Sequence, residues 1–398
     1  MPPTTERLEC YVVVAPGLEP FTTTELEAIG ARDVRPHHGG VDCSLTFTQL
    51  GAANLYLRTA TRVLVRIARF HAAGWRDFEQ GLRSIDWQPW LPTDATLELN
   101  ASSSGSKLFH TGAIEERAAA VLSRWVGTGT TQRVSIRIKH DTVTVSIDSS
   151  GEPLHRRGWR TSVDDAPLRE TLAAGLLMAS GWTKRAPLVD PFCGAGTIAI
   201  EAACMARRIA PGRDRSFAFM HWPRAEEVRW DRLIAGADDE RVERIPPIAG
   251  SDISTHAIAA AAANAARAGV ADDVQFTVMA ADAVQLGTRP GWIITNPPYG
   301  ERLRASSPAW QQLAALIARS PQWRGAVIAP RRLVDTALRA AQPVEHAHRF
   351  AVSSGGIAVE LTPFRRAGER PASVAAPARR NAAQAPPTAG GRNPSRNG

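Results

Sequence analysis

The stretch LVDPFCGAGT, residues 188–197, places an acidic residue and then two glycines directly after a short apolar run. The segment that begins at Thr197, TIAIEAACMARR, has the composition of a buried helix. A strand that ends at Asp190, followed by a glycine turn and a helix, is typical of an α/β domain in which backbone N–H groups approach a ligand. The residues after Gly196 do not complete G-x-G-x-x-G, which argues against NAD or FAD.

The same alternation of helix-like and strand-like segments continues from residue 166 to residue 365. The helix-like APLRETLAAGLLMASGW comes first, and Pro167 can occupy its first turn. Later strand-like segments are PIAGSDI, QFTVMAAD, GWIITNP and WRGAVIAP, and Ser254 and Gly269 are expected to begin and end the helix after the first of them. Strands separated by helices predict an α/β, Rossmann-like, doubly wound sheet that binds ligands at the carboxyl ends of its strands.

The region before residue 156 has a different pattern, with short strands and helices mixed. YVVVAP predicts a strand and PFTTTELEAIG a helix, and VSIRIKHDTVTVSID alternates as a hairpin with one buried face. We therefore expect an α+β region, joined to the α/β domain by a polar linker over 156–165.

A third feature is the long interval between Asp190 and Asp252, which predicts an insertion at about 207–247. Its aromatic residues either pack the insertion down or shape a base pocket, and packing is the favoured interpretation. They are Phe217, Phe219, Trp222 and Trp230.

Composition and charge restrict the class of protein. Of the 398 residues, 44% are hydrophobic, no apolar run reaches the roughly 18 residues that span a bilayer, and no leader pattern is present, so we expect a cytoplasmic protein. Most of the net charge of +8 lies in the arginine-rich segment 366–398, which is expected to be a disordered tail. The four cysteines form no C-x-x-C pair, which predicts reduced thiols and no metal site.

Three carboxylates, Asp190, Asp252 and Asp282, end three successive predicted strands. One such residue alone is more often a helix N-cap, but three together favour a ligand with an ammonium group, a ribose and an adenine. S-adenosylmethionine has all three. The expected cofactor-binding residues are Asp190, Pro191, Cys193, Gly194, Gly196, Thr197, Asp252, Ile253, Asp282, Ala283 and Asn296.

The candidate catalytic residues are Asn296, Pro297, Pro298 and Tyr299, which follow the strand-like WIIT. The Asn296 carbonyl can accept a hydrogen bond from a planar exocyclic amine while Tyr299 stacks on its base. Catalysis of methyl transfer to nitrogen would then be mainly positioning. The alternative, a proline-rich loop that only caps a strand, is disfavoured by the glycine turn in the same domain.

Residues 166–365 resemble the class I S-adenosylmethionine-dependent methyltransferases that modify exocyclic amines. The span 6–365 resembles the THUMP-domain family of RNA guanine-N2-methyltransferases, in particular the bacterial enzymes for 23S ribosomal RNA. The likeness is carried by FTQLGAANLYLRTATRVLVRIARF at 47–70, DSSGEPLHRRGWR, APLRETLAAGLLMASGW, DPFCGAGTIAIEAA, GSDIS and NPPYGERL.

The resemblance implies a mixed, mostly parallel seven-stranded sheet over 166–365, a ferredoxin-like part over 6–45 and a THUMP RNA-binding domain over 46–155. It implies an enzyme with one catalytic domain that methylates guanine N2 once. The implied partner is RNA, either 23S ribosomal RNA or a ribosomal assembly particle, and the chain is expected to be a monomer away from membranes.

RNA contacts are expected at basic residues of the linker and the THUMP-like part, although a solvated linker is an equal alternative. The candidates are Lys107, Lys139, Arg156, Arg157, Arg160 and Arg302, with His155 and Trp159 beside them. Three other functions stay open: guanine-N2 methylation of transfer RNA, adenine-N6 methylation of a nucleic acid, and a non-catalytic role in ribosome assembly.

Overall fold

The computed structural model contains two sheets, one in each half of the chain. The structure describes residues 6–92, 94–160, 168–299, 307–341, 344–346, 348–354, 356–366 and 368. The elements of the first half are, in chain order, β1 (Leu8–Val14), α1 (Glu19–Ala28), β2 (Arg32–His37), β3 (Gly40–Leu45), α2 (Phe47–Tyr56), β4 (Ala60–His71), α3 (Trp75–Arg83), β5 (Ala95–Ser104), α4 (Thr111–Leu122), β6 (Val126–Lys139) and β7 (Thr142–Asp148).

The second half begins with a helix and then alternates. Its elements are, in chain order, α5 (Glu170–Ala179), β8 (Leu188–Asp190), α6 (Thr197–Ala206), α7 (Trp230–Asp239), β9 (Ile248–Asp252), α8 (Thr255–Arg267), β10 (Val274–Val278), β11 (Trp292–Thr295), α9 (Pro308–Ala318), β12 (Arg324–Ala329), α10 (Arg331–Ala340), β13 (Val344–His346), β14 (Phe350–Ser354) and β15 (Ile357–Arg366).

The first sheet has the order β2-β3-β1-β4-β7-β6-β5, and all its neighbouring strands are antiparallel except β5 and β6. Helices α1–α4 bury their apolar side chains in one core with the inward-facing residues of the strands, such as Val12, Val145 and Ile136. The predicted α+β region and its β6–β7 hairpin are confirmed. The hairpin turn is shorter than expected, because His140 and Asp141 both have positive φ, as a two-residue turn requires.

The second sheet has the order β10-β9-β8-β11-β12-β15, with β10 to β12 parallel and β15 antiparallel. Strands β13 and β14 both pair with β15, β13 with residues 364–366 and β14 with residues 357–361. They therefore share the seventh position of the sheet. The predicted Rossmann-like, mostly parallel sheet is confirmed.

The direction of the chain reverses at the middle of this sheet. From β8 the chain moves outward through β9 and β10, and it then returns to β11 on the other side of β8. In a doubly wound sheet, ligands bind at such a switch point, outside the carboxyl ends of the strands. Ser254 caps α8 through its side chain, and Gly269 follows that helix with positive φ, as expected. Pro167 lies outside the described residues, and α5 begins at Glu170.

The insertion at 207–247 packs against the first half of the chain. Trp222 contacts Trp90 at a ring-centroid distance of 5.4 Å, and its indole N–H donates to Gln132 Oε1 at 2.7 Å. Arg224 lies 4.2 Å from the ring centroid of Phe47. Packing, the favoured interpretation of the inserted aromatic residues, is confirmed for Phe217, Phe219 and Trp222, which are all buried.

Two sequence predictions concern long segments. Among the described residues, no helix is both long enough and apolar enough to cross a bilayer. The predicted tail lies outside the described residues except for 366 and 368. The proposed boundaries of the ferredoxin-like, THUMP, linker and methyltransferase segments stay predictions.

Candidate active site

The glycine turn after β8 is fastened to the end of β9. Cys193 N donates to Ser251 O at 2.9 Å, and Gly194 N donates to Asp252 Oδ2 at 3.1 Å. Gly194 and Gly196, the two glycines of the turn, both have positive φ, which favours a residue without a Cβ atom. These hydrogen bonds and the two glycines therefore define the shape of the turn.

The two glycines meet different surroundings. A Cβ atom on Gly194 would have no heavy atom within 4 Å in the described part of the chain, apart from its chain neighbours. A Cβ atom on Gly196 would lie 3.0 Å from both Ala261 and Phe276. Gly194 therefore leaves space for a ligand beside the backbone, whereas Gly196 lets α6 begin close to α8 and β10.

Asp190 lies at the switch point and is only 1% exposed. Its Oδ1 atom accepts hydrogen bonds from Thr295 Oγ1 at 2.6 Å and from Phe192 N at 3.2 Å. Burial raises the pKa of Asp190 to about 7, the two hydrogen bonds oppose that rise, and the charge of Asp252 adds to it. A cationic ligand group would stabilise the charged form of this carboxyl.

The structure places two of the three predicted carboxylates, Asp190 and Asp252, at the carboxyl ends of the adjacent strands β8 and β9, and the third, Asp282, follows the next strand, β10. Asp252 Oδ1 accepts from Ser254 N at 2.9 Å, and the neighbouring Ile253 is 76% exposed. Strand β10 ends at Val278 rather than at Asp282, and just after it Met279 N donates to Asp252 O at 2.9 Å.

The turn after β10 carries the remaining residues of that edge. Asp282 and Ala283 are both exposed, in a short 3₁₀ helix over Ala281–Ala283. An exposed aliphatic side chain at 253 and an exposed carboxylate at 282 are compatible with an adenosine that lies across the edge.

The corner formed by residues 296–299 follows β11, directly across the switch point from Asp190. The Asn296 Oδ1 atom is buried and has no hydrogen-bond partner among the described residues. A buried acceptor without a partner is costly, so a ligand N–H that reached it would be stabilised. Pro297 is buried and Pro298 exposed.

The rest of the corner is held in place by neighbouring elements. Trp310 Nε1 on α9 donates to Pro298 O at 3.1 Å. The Tyr299 hydroxyl forms a hydrogen bond with the Ser354 side chain on β14, and burial raises the pKa of that hydroxyl. The Tyr299 hydroxyl is therefore neutral at pH 7 and is hydrogen-bonded to the neighbouring strand.

Three other predicted cofactor residues have buried side chains: Pro191, Cys193 and Thr197. Burial raises the pKa of the Cys193 thiol, which is therefore not a thiolate at neutral pH. Thr197 Oγ1 accepts a hydrogen bond from Arg160 Nη2. These three buried side chains therefore support the shape of the turn.

The structure contradicts the RNA role predicted for Arg157. Its side chain is buried, its Nε donates to Glu201 Oε1 at 3.1 Å, and its Nη atoms donate to backbone carbonyls. Arg58 Nη1 donates to the other oxygen of Glu201, also at 3.1 Å. Arg157 is therefore a partner in a buried charge cluster that joins the two halves of the chain. The sequence signal is Glu201 itself, since a lone acidic residue in an apolar helix predicts a buried cationic partner.

The described residues on either side of Arg157 also differ in exposure from the prediction. Trp159 is buried, which removes it as a stacking surface for a base. Burial, with Arg169 and Arg157 nearby, lowers the pKa of His155 to about 4, so it is neutral at pH 7. Arg156 is exposed beside Glu152, and Arg160 is partly buried.

Two candidates from the first half, Lys107 and Lys139, are exposed. Arg302 lies outside the described residues. Among the described residues, no group of three or more His, Cys, Asp or Glu side chains is arranged to hold a metal ion.

Comparison with known proteins agrees with this geometry. Residues 157–359 match the family described as the RMKL-like methyltransferase domain. The chain belongs to this family. Residues 9–64 also match the RlmL ferredoxin-like domain.

Curated relatives of the family are similar over most of this chain. Ribosomal RNA large subunit methyltransferase K/L of Psychromonas ingrahamii is 36% identical over 320 residues, and that of Methylococcus capsulatus is 35% identical over 314. This chain spans 42% of the length of each. A protein of Synechocystis sp. described as an RNA methyltransferase is 30% identical over 371 residues, which is 89% of this chain and 96% of that protein.

Solved structures confirm the fold over nearly the whole chain. A methyltransferase complexed with S-adenosylhomocysteine, SMU.472, is 26% identical with a TM-score of 0.83, and the match covers 92% of this chain and 100% of that one. A Listeria monocytogenes protein described as an N6-adenine-specific DNA methylase is 27% identical with a TM-score of 0.81, over 90% and 96% of the two chains.

Proposed function

We propose that this chain transfers a methyl group from S-adenosylmethionine to the exocyclic N2 amine of a guanine in 23S ribosomal RNA. The observation that carries the proposal is the buried Asn296 Oδ1 atom across the switch point from Asp190, which has no hydrogen-bond partner in the described part of the chain. The names of the K/L relatives support the RNA substrate.

The residues at the strand ends fit the proposed cofactor. Gly194 leaves open space beside its backbone, and the Asp252 carboxylate, held by two backbone N–H groups, can accept further hydrogen bonds from ribose hydroxyls. Asp190 would hold the ammonium group, and Ile253 and Asp282 would lie against the adenine. When bound, S-adenosylmethionine supplies an electrophilic methyl group. The complex of the related SMU.472 protein with S-adenosylhomocysteine supports this assignment.

The corner at 296–299 would position the target. Asn296 Oδ1 accepts one N–H of the amine, which fixes the direction of the nitrogen lone pair, and the Tyr299 ring supports the face of the base. Asn296 has no acid–base function at neutral pH, so the corner contributes orientation, and the methylated nitrogen would lose its proton to water as S-adenosylhomocysteine leaves. A guanine within a helix would first have to be flipped out, at a cost of a few kcal/mol.

The first half of the chain would bind the RNA. In this proposal residues 6–45 form a ferredoxin-like part, residues 46–155 act as a THUMP domain, and the chain works in the cytoplasm as a monomer. The match of residues 9–64 to the RlmL ferredoxin-like domain supports the first assignment.

The test is methyl transfer from labelled S-adenosylmethionine to total RNA from a strain that lacks this protein, followed by RNA sizing and nucleoside analysis. We expect N2-methylguanosine in 23S RNA with the wild-type chain and none above background with Asn296→Ala. Gln322→Ala, an exposed amide in the second half and outside the candidate site, is the control and should retain activity. No label in any RNA, despite cofactor binding, would contradict the proposal and favour an assembly factor.

Adenine-N6 methylation is the second candidate, because an N6 amine fits the same acceptor and the Listeria monocytogenes protein is described as an N6-adenine-specific DNA methylase. The same nucleoside analysis separates the candidates. If the label is found as N6-methyladenosine, the target base is adenine rather than guanine. If the label is found in transfer RNA, the substrate is transfer RNA rather than 23S RNA.

A further inference from the structure

Strand β14 lies at an edge of the second sheet, and among the described strands it pairs with β15 alone. The first half of the chain supports it from the side. Phe21 on α1 is buried, and its ring centroid lies 4.7 Å from that of Phe350 on β14. Gly17, in the loop before α1, approaches the strand so closely that a Cβ atom there would overlap with the carbonyl oxygen of Ala351. An edge strand is thus held in place by a distant part of the chain.

One face of the β14–β15 hairpin is continuous from the core to the corner at 296–299. Val352 on β14 lies opposite Val359 on β15, and both are buried in the core that the second half shares with the first. Ser354 comes two residues after Val352, so its side chain is on the same face of the strand. Tyr299 packs against this core as well, and its hydroxyl forms the hydrogen bond with the Ser354 side chain. The strand therefore links the support of the first half to the hydroxyl of Tyr299.

Tyr299 is held at two points by elements that are distant from each other in sequence. On the backbone side, Trp310 Nε1 donates to the carbonyl oxygen of the preceding residue, Pro298, at 3.1 Å. At the other end of the side chain is the hydrogen bond with Ser354. The contact at Pro298 does not restrict rotation about the side-chain torsions of Tyr299, whereas a hydrogen bond at the tip of the ring does. The direction of the ring therefore depends on Ser354.

We propose that Ser354 is a positioning residue, whose hydroxyl sets the direction of the Tyr299 ring from a strand that the first half of the chain holds in place. The inference rests on the proposed function for the contact between this ring and the target base. A displaced ring would hold the exocyclic amine at a less favourable angle to the methyl group, which lowers the rate of transfer.

The first experiment measures methyl transfer by the full chain to saturating RNA from a strain that lacks this protein. Ser354→Ala should lower kcat about tenfold, the effect of one hydrogen bond, and leave the KM for S-adenosylmethionine near wild type. Ser354→Thr keeps the hydroxyl on a residue suited to strands and should restore the rate. The matched control is Ser353→Ala, because Ser353 is exposed and its side chain is on the opposite face of β14.

A double-mutant cycle tests whether Ser354 acts through Tyr299. Tyr299→Phe keeps the ring and removes the hydroxyl, so it should lower kcat about as much as Ser354→Ala does. The two substitutions together should cost about tenfold, since they remove the same hydrogen bond, whereas independent effects would multiply to about 100-fold. Multiplied losses, or a Ser354→Ala rate equal to wild type, would overturn the inference and leave the proposed function standing.

A second readout requires no RNA. The chain has three tyrosines, so isotope-labelled tyrosine gives three Cζ resonances, and the one that Tyr299→Phe removes belongs to Tyr299. Ser354→Ala should shift this resonance at neutral pH, and Ser353→Ala should not. An unshifted resonance in Ser354→Ala would overturn the inference whatever the RNA assay shows. A shifted resonance in a chain that methylates no RNA would overturn the proposed function, and with it the role of the ring in transfer.

Discussion

Replacing Asp190 with asparagine isolates the effect of a buried charge at the switch point of the second sheet. Asparagine is nearly the same size and keeps an oxygen that can accept the hydrogen bond from Thr295 Oγ1. The substitution therefore removes the charge and the titration but little of the packing.

The magnitude follows from the pKa of the folded state. Burial raises the pKa of Asp190 from 3.8 to about 7, a shift of about 3 units, and each unit corresponds to about 1.4 kcal/mol. Between these two pKa values the folded chain retains a proton that the unfolded chain has lost. The free energy of unfolding of the wild-type chain therefore falls as pH rises through this window, by about 4 kcal/mol in total, and the fall is complete above about pH 7.

The assay is urea unfolding of the cofactor-free wild-type chain and Asp190→Asn at several values between about pH 4 and pH 8. The variant should gain about 4 kcal/mol relative to wild type over that range. Thr295→Val removes the hydrogen bond that opposes the rise in the pKa of Asp190. In this variant the pH range over which Asp190 titrates should therefore lie higher than in wild type. A stability difference between wild type and Asp190→Asn that is the same at low and high pH would refute the reasoning.

Three further predictions concern the turn, the corner and the charge cluster. Asn296→Ala should lower kcat about 100-fold, since the orientation of the amine is lost. Cofactor affinity measured by calorimetry should stay within a few-fold of wild type. An unchanged kcat would contradict the role of Asn296. Gly196→Ala should lower the free energy of unfolding by about 1–3 kcal/mol, because its φ is 85° and a Cβ atom would lie 3.0 Å from two side chains. Gly194→Ala should lower the free energy of unfolding by less in the same urea titration, because a Cβ atom at position 194 would have open space. Glu201→Gln should cost about 3–5 kcal/mol, since it leaves two buried guanidinium groups without their anion, and a loss below about 1 kcal/mol would contradict the cluster.

The second sheet and its ligand edge follow from patterns that are local in sequence. Alternating apolar runs and glycine turns are sufficient to predict strands β8 to β12 and their parallel direction, and a polar residue directly after a strand must lie at its carboxyl end. For this reason the amino-acid sequence alone is sufficient to place Asp190, Asp252 and Asn296 at one edge. Whether these residues bind the cofactor and the amine stays a prediction.

The contacts between distant segments could not be predicted in the same way. Arg157 is basic and lies in a polar linker, and nothing adjacent to it indicates that Glu201 and the carbonyl of Arg58 take up its donors. The burial of Trp159, a candidate for base stacking, could not be predicted for the same reason. Burial by a remote part of the chain changes the meaning of a charged residue, and the local pattern does not contain that information.

The insertion at 207–247 lies within the sequence of the second half, yet Trp222 and Arg224 pack on Trp90 and Phe47 of the first. The insertion therefore belongs to the second half in sequence but packs with the first half in space. A recombinant protein that exchanged either half at the linker would separate these aromatic residues from their partners. A domain exchange that preserves these contacts must transfer the insertion and the N-terminal half together.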